Sequence, residues 1–137
     1  MTFIRISGGE ETTRGLQLWI ALPEELEHSP PQSRYLSADE VPTVGGSRVV
    51  LGNHAGSSSG IPTPQGINYL DAQLQAGDRW TYRPPAGHNV AWLAVSQGEV
   101  QVGERVSAGE LVVFEGSAGD IVTHAVTAAR LVLGSAI

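Results

Sequence analysis

The sequence predicts an all-β domain built as a small closed barrel or sandwich, and three observations carry that expectation. Gly 17 and Pro 8 in a chain of 137 residues supply turn-formers at close spacing. Short apolar and β-branched runs recur between those turn-formers, as strands do. Residues 84–114 concentrate the pattern. An apolar run at 90–95 is broken by Ser96-Gln97-Gly98, and Glu99-Val100-Gln101-Val102 then alternates polar and apolar residues as a half-buried strand does. Gly103-Glu104 turns the chain, residues 105–107 continue it, and Ala108-Gly109-Glu110 turns it again into the run 111–114. Closely spaced antiparallel strands of this kind remove their open edges by closing on themselves or doubling over.

Taken in order, Phe3-Ile4-Arg5-Ile6 reads as a short edge strand and the polar residues 7–13 as a loop, so 1–14 form a leading strand and loop. Residues 15–23 read as a strand. Leu16, Leu18 and Ile20 share one face and Gln17, Trp19 and Ala21 the other, which implies cover on both sides. Pro23 ends that strand, and Pro23-Glu24-Glu25 then places Pro at a first helical position with acids in the first turn. Ser37-Ala38-Asp39-Glu40 has the spacing of a capping box. The 23–46 excursion is therefore expected to hold short helical turns outside the barrel, because a structureless loop of that length is uncommon in a compact domain.

Strands follow at 47–52, 67–74 and 79–83, the last with Trp80 and Tyr82 alternating. The Ser/Gly stretch 53–60 reads as a mobile polar loop, and 61–66 as a stiff Pro-containing segment. After residue 114, 115–120 reads as a loop and 121–126 and 130–133 as the last strands. No repeat, coiled coil or boundary interrupts this order, so 1–137 reads as a single domain.

Charge and composition exclude several functions. The net charge is −6, and all eight basic residues are scattered arginines. Nucleic acid and anionic membrane surfaces both require a basic face, so neither is an expected partner. Cys is absent, which removes disulfides, thiolate chemistry and Cys-type zinc sites. The sequence contains neither an apolar run long enough to span a bilayer nor a signal peptide, and a cytoplasmic location is the expectation.

The order "apolar strand, xGE, short strand, xAGE, apolar strand" resembles the centre of a cupin barrel. The full set of motifs is more specific. Residues 15–23 (GLQLWIALP), His28-Ser29-Pro30-Pro31 with Tyr35, Ile61-Pro62-Thr63-Pro64 leading to Tyr69-Leu70-Asp71, Ala76-Gly77, Pro85-Ala86-Gly87-His88-Asn89, Gly98-Glu99-Val100, Ala108-Gly109-Glu110-Leu111 and Leu133-Gly134-Ser135-Ala136 occur in one consistent order. Together they resemble the pirin family over residues 12–137. The resemblance implies an RmlC-like jelly-roll barrel, with 15–137 corresponding to the C-terminal cupin of a two-cupin protein. In pirins the N-terminal cupin carries the metal and the C-terminal one is generally metal-free. The His-rich motif of the N-terminal half is not found in these residues, and the chain stops at Ala136-Ile137 where pirins continue with a tail.

An active cupin places His-x-His and Glu before its first Gly and another His after its second, so that three imidazoles and a carboxylate hold a divalent metal with open positions. Anchored on Gly98 and Gly109, those positions fall on about Pro84, Ala86, Ala91 and Asp120. The substitutes within reach are His88, Asp120 and His124, and His124 enters the barrel only if the face it shares with Val122 and Val126 is the inner one. His54 reads as solvated and His28 as a surface residue. Trp80, Tyr82, His88 and Trp92 are candidates for a ligand pocket, against the alternative that the aromatics simply fill the core.

The expected protein is a non-catalytic, metal-free cupin barrel with a structural, binding or self-association role. Its expected partners are a second copy in a homodimer or a metal-bearing cupin half. The enzyme alternative is a pirin-type, quercetinase-like dioxygenase using Fe, Ni or Mn. The third class is a regulatory protein-interaction module.

Overall fold

The structure is a computed structural model. It describes residues 2–8, 11–64, 66–116 and 119–137, with side chains from Gly15 onward. The loops expected at 7–13 and 115–120 include Gly9, Glu10, Ser117 and Ala118, and the stiff segment 61–66 includes Gln65; these five positions lie outside the described residues. Two compact units are distinguished, Met1–Gln32 and Ser33–Ile137.

In the first unit, strand β1 (Thr2–Gly8) pairs antiparallel with β2 (Glu11–Gln17), Thr2 lying opposite Gln17 and Gly8 opposite Glu11. This corrects the strand expected at 15–23. Pairing begins earlier, in residues taken for a loop, and its register reaches the start of β1 at Gln17. The apolar run 18–22 therefore has no strand opposite it and is not extended into the ladder. The expected helical turn is present as α1 (Glu24–Glu27), with Pro23 as the residue before the helix rather than the first inside it.

The second unit contains the barrel. A six-stranded sheet runs β12 (Leu111–Phe114), β9 (Val90–Gln97), β14 (Ala129–Ala136), β7 (Ile67–Leu74), β4 (Ser47–Leu51) and β3 (Thr43–Val44). A four-stranded sheet runs β11 (Glu104–Ser107), β10 (Glu99–Val102), β13 (Ile121–Ala125) and β8 (Arg79–Tyr82). Every pairing within the two sheets is antiparallel. The strands of the 84–114 region fall where the sequence puts them.

The core lies between the two inner faces. Leu70, Leu93, Leu131 and Leu133 from the large sheet meet Trp80, Tyr82, Val100 and Ile121 from the small one. Period-2 alternation selects these residues: on β8, Trp80 and Tyr82 are buried while Arg79 and Thr81 are exposed. β9 and β14 carry buried residues on both faces, as central strands do.

Two local elements depend on short-range bonds. Ser37 and Glu40 close one turn as the capping-box spacing implies, with the Ser37 N–H donating to Glu40 Oε2 at 2.8 Å and Ser37 Oγ at 2.7 Å. The stretch 53–60 was expected to be a mobile loop and is instead a hairpin of β5 (Asn53–His54) and β6 (Ser57–Ser58). Ala55 and Gly56 both have positive φ (47° and 84°), the signature of a type I′ hairpin turn. The small polar side chains tie this hairpin down rather than solvate it. Ser59 N–H donates to the Gly52 carbonyl at 2.9 Å, and Ser59 Oγ to the Val50 carbonyl at 2.7 Å.

Candidate functional site

Polar side chains from four elements meet inside the barrel and form one continuous hydrogen-bonded chain. Asn68 on β7 stands on the inner face with Leu70, Ala72 and Leu74. Ser135 on β14 lies opposite Asn68 and shares the inner face with Leu131 and Leu133. Tyr82 reaches both from the other sheet and is fully buried. His88 approaches from the loop before β9. A turn places it there: the His88 N–H donates to the Pro85 carbonyl at 3.1 Å, and Gly87, with φ of 91°, occupies the position that a type II turn reserves for glycine. The next residue is fixed by Asn89 N–H donating to the Ala136 carbonyl at 2.9 Å.

One direction of the bonds in this chain gives every one of its polar hydrogens an acceptor. Asn53 N–H donates to Asn68 Oδ1 at 3.0 Å, which fixes the orientation of the Asn68 amide. Asn68 Nδ2 then donates to the Asn53 carbonyl at 2.7 Å and to Tyr82 Oη at 2.9 Å, using both of its hydrogens. Tyr82 Oη and Ser135 Oγ are 2.7 Å apart, and Ser135 Oγ and His88 Nδ1 2.6 Å apart. Both hydroxyl hydrogens find an acceptor when Tyr82 donates to Ser135 and Ser135 to His88 Nδ1. In that arrangement His88 is the neutral tautomer with its proton on Nε2. Burial pushes its pKa below the ordinary 6.5, in keeping with a ring held neutral.

His88 is also one of the residues that line an open cavity of about 340 Å³ at the end of the barrel, together with Ala91, Val102, Phe114 and Ile121 and, at its rim, Asn89, Glu115 and Asp120. At the other end of the relay, the His54 ring lies against Tyr82 and Trp80, with centroids 5.5 Å and 6.2 Å away. Burial also lowers the His54 pKa. This corrects the reading of His54 as a solvated loop residue, because the hairpin folds its ring onto the aromatic pair.

The other candidates are dispersed. Trp92 is on the outer face of β9 and stacks at 5.9 Å on Tyr69, not on Trp80 or Tyr82. His124 is exposed because the inner face of β13 is Ile121, Thr123 and Ala125, the opposite phase from the one that would bring it inside. Asp120 is at the cavity rim but is paired with Arg83 at 2.9 Å, and that hydrogen bond holds its carboxyl below the usual range. His28 is exposed at the end of α1. Among the described residues no three His, Asp or Glu side chains lie close enough to share a metal ion. Of the positions that hold metal in an active cupin, Pro84, Ala86 and Ala91 have no side-chain donor, Asp120 is bound to Arg83, and the nearby imidazole, His88, is bound through Nδ1 to Ser135. This donor set does not fit a divalent metal, so no metal-dependent step can be derived from it.

A second depression, of about 500 Å³, surrounds Arg48, Asp71 and Arg130 on the outer face of the large sheet. Both guanidiniums are bonded to Asp71, Arg130 Nε at 3.3 Å from Oδ1. Burial pushes the Asp71 carboxyl up, but the hydrogen bonds and charges of Arg130 and Arg48 outweigh it and the net shift is downward.

Sequence reasoning missed Asn68, Ser135 and the packing of His54. A signal for the first two was present. Each is a polar residue in phase with leucines on an otherwise apolar strand face, and such residues need partners inside.

No family model matches the chain. A pirin-like protein of Caulobacter vibrioides is 33% identical over 129 residues, covering 88% of this chain and 46% of that protein. A candidate quercetin 2,3-dioxygenase of Pseudomonas aeruginosa is 35% identical over 107 residues, covering 70% of this chain and 37% of that protein. The chain thus spans less than half the length of these curated relatives. The crystal structure of quercetin 2,3-dioxygenase from Acinetobacter baumannii superposes with a TM-score of 0.81 at 20% identity, covering 86% of this chain and 43% of that one. The fold is the all-β cupin barrel expected from the sequence. The likeness extends over about one half of a pirin, consistent with the C-terminal half that the motifs resemble.

Proposed function

We propose that this chain, a relative of the pirins, is a cupin barrel that performs no metal chemistry of its own and acts as a binding and packing half. The observation that supports this most directly is the use made of the interior imidazole. With Nδ1 bonded to Ser135 and the proton on Nε2, the His88 ring presents a donor rather than a free lone pair, and among the described residues no two further His, Asp or Glu side chains lie close enough to share a metal ion with it. The test is metal content per chain after expression with iron, nickel and manganese supplied. The expected result is no metal retained through dialysis. One retained equivalent would overturn the reading and return the chain to the dioxygenase class.

Self-association is part of the proposal. β12 is an edge strand of the large sheet, and its outward side chains Leu111 and Val113 are 52% and 66% exposed. An apolar edge of this kind is a template for another strand, and a second copy offers the matching edge. Light scattering is expected to give a dimer; a monomer at every concentration would remove the homodimer and leave a metal-bearing cupin half as the partner to seek. The names of the relatives favour that second partner, since a quercetinase-like activity in a two-cupin assembly needs the metal supplied elsewhere.

A further inference from the structure

The relay ends at a hydrogen-bond donor with no protein partner among the described residues, His88 Nε2–H, and His88 is one of the residues that line the cavity at the open end of the barrel. We propose that this cavity binds a small uncharged ligand, and that the ligand is held by an acceptor atom, a carbonyl oxygen or a ring nitrogen, placed on His88 Nε2–H. The inference rests on the reading of the barrel as a binding half without its own metal, and gives that reading a ligand class.

Three features fix the class. The first is the sign of the hydrogen bond. With Asn68 Nδ2 donating to Tyr82, the arrangement that gives both the Tyr82 and the Ser135 hydrogens an acceptor makes Nδ1 of His88 an acceptor. Nε2 then donates, and the ligand must offer an acceptor. Reversing the last two bonds would leave the buried Tyr82 hydrogen without an acceptor among its hydrogen-bond partners.

The second feature is charge. The rim carries the carboxylates of Glu115 and Asp120, and among the described residues only Asp120 is paired to a guanidinium. A ligand anion would face net negative charge at close range. A cation would be met by the donor of His88 at the inner end. An uncharged acceptor avoids both.

The third feature is the wall. Ala91, Val102, Phe114 and Ile121 are apolar, and about 340 Å³ is at the lower end of the roughly 300–1,000 Å³ typical of small-molecule sites. A recess that combines apolar side chains with a polar rim and one oriented donor is a usual form of a pocket for a small molecule. Asn68, Tyr82 and Ser135 are positioning residues, since Ser135 bonds His88, Tyr82 bonds Ser135, Asn68 bonds Tyr82 and none of the three lines the cavity.

Three probes of one shape separate the possibilities: benzamide, an uncharged acceptor; benzoate, its anionic counterpart; and toluene, which has the ring and no acceptor. Histidine side-chain nitrogen NMR on the intact chain reads the tautomer and the Nε2 shift, and ligand-observed titration reads relative affinity. The expected result is His88 in the Nε2–H form, a benzamide-dependent shift at Nε2, and binding of benzamide about tenfold tighter than of toluene, the worth of roughly one hydrogen bond. Benzoate is expected to bind more weakly than benzamide. In Tyr82→Phe the tautomer preference is expected to weaken and the preference for benzamide to fall with it; in His88→Phe benzamide and toluene are expected to become equal. An Nδ1–H tautomer in the unaltered chain, equal binding of the three probes, preference for benzoate, or no binding of any of them would overturn the proposal. The metal measurement decides the underlying reading separately, since a metal-bearing barrel and an empty, non-discriminating cavity are different failures.

Discussion

Asn68 and Tyr69 are neighbours on β7, and Ser135 and Gly134 face them on β14, yet the two sides of this ladder follow opposite rules. On the inner side the polar atoms of Asn68, Tyr82 and Ser135 are paired in a fixed direction. On the outer side Tyr69 lies against Trp92 and its hydroxyl is buried with no partner among the described residues. Burial, and secondarily the charge of Asp71, pushes the Tyr69 phenol up to about 12. Two tyrosines, each less than a tenth exposed, thus serve differently: Tyr82 for the bonds of its hydroxyl and Tyr69 for the area of its ring. Burial alone does not reveal which part of a side chain a fold relies on. The partners of its polar atom do.

The largest expected effect tests the outer side. Gly134 has no side chain because the Trp92 indole occupies that space; a Cβ there would lie 2.5 Å from Trp92 Cε2 and Cζ2. Gly134→Val should displace the indole and its contact with Tyr69, lowering stability by roughly 3 kcal/mol in urea unfolding. A loss below about 1 kcal/mol would mean that the ring relocates freely, and that the outer side is not packed to the standard of the inner.

Tyr82→Phe tests the inner side. The substitution keeps the ring against Trp80 and removes the central oxygen of the relay, leaving an Asn68 N–H and the Ser135 hydroxyl without their partner. Unsatisfied buried groups cost about 1–3 kcal/mol, so a loss of about 2 kcal/mol is expected by the same measurement. An unchanged midpoint would show that water replaces the hydroxyl and that the relay does not hold the barrel. The inner side contains its own exception in Thr123, whose buried hydroxyl has no partner, so the contrast between faces is one of degree.

Much of this was legible in the sequence, and the reasons differ by region. Strands β7 to β14 were readable because turn-formers punctuate them and alternation marks their faces. The hairpin at 53–58 was not, because its signal is two positive φ angles, one on an alanine, and nothing in the composition of a Ser/Gly stretch separates a tied hairpin from a free loop. The strand end at Gln17 was missed because pairing, not the apolar run, decides where a strand stops. The phase of β13 was ambiguous, since Val122 and Val126 are as apolar as Ile121 and Ala125, and that ambiguity alone kept His124 among the metal candidates. Of the four pocket candidates only His88 lines the cavity, while Tyr82 belongs with it to the relay and Trp80 packs beside Tyr82; the residues that orient them belong to strands remote in sequence.

The pH dependence sharpens the inner side further. His54 and His88 both have folded-state pKa values lowered by burial from 6.5. Below that value the unfolded chain binds protons that the folded chain does not, so the stability these rings contribute is present above about 6.5 and is lost as pH falls through it. Protonating His88 on Nδ1 would also leave the Ser135 hydrogen without an acceptor. The melting temperature is expected to fall as pH drops from neutrality to about 5, and the slope to flatten in His88→Asn, which offers an acceptor that does not titrate. Asp71 and Asp120 act in a separate window, because their lowered pKa values remove stability only as pH falls below 3.8. A flat profile between neutrality and about 5 would mean that neither imidazole is held neutral by the fold.

The smallest expected effect is the most discriminating. Tyr69→Phe deletes a hydroxyl that has no partner to lose and keeps the ring on Trp92. The folded state then no longer buries an unsatisfied oxygen, while the unfolded state gives up that oxygen's bond to water. The expected change lies between zero and a gain of about 1 kcal/mol, the opposite sign from Tyr82→Phe. Two substitutions of identical chemistry, at two buried tyrosines of one barrel, should therefore move the unfolding midpoint in opposite directions or move one and not the other. If both destabilise equally, the Tyr69 hydroxyl has a partner, and a water on the outer face of the large sheet, between Tyr69 and the Asp71 cluster, is the place to look for it.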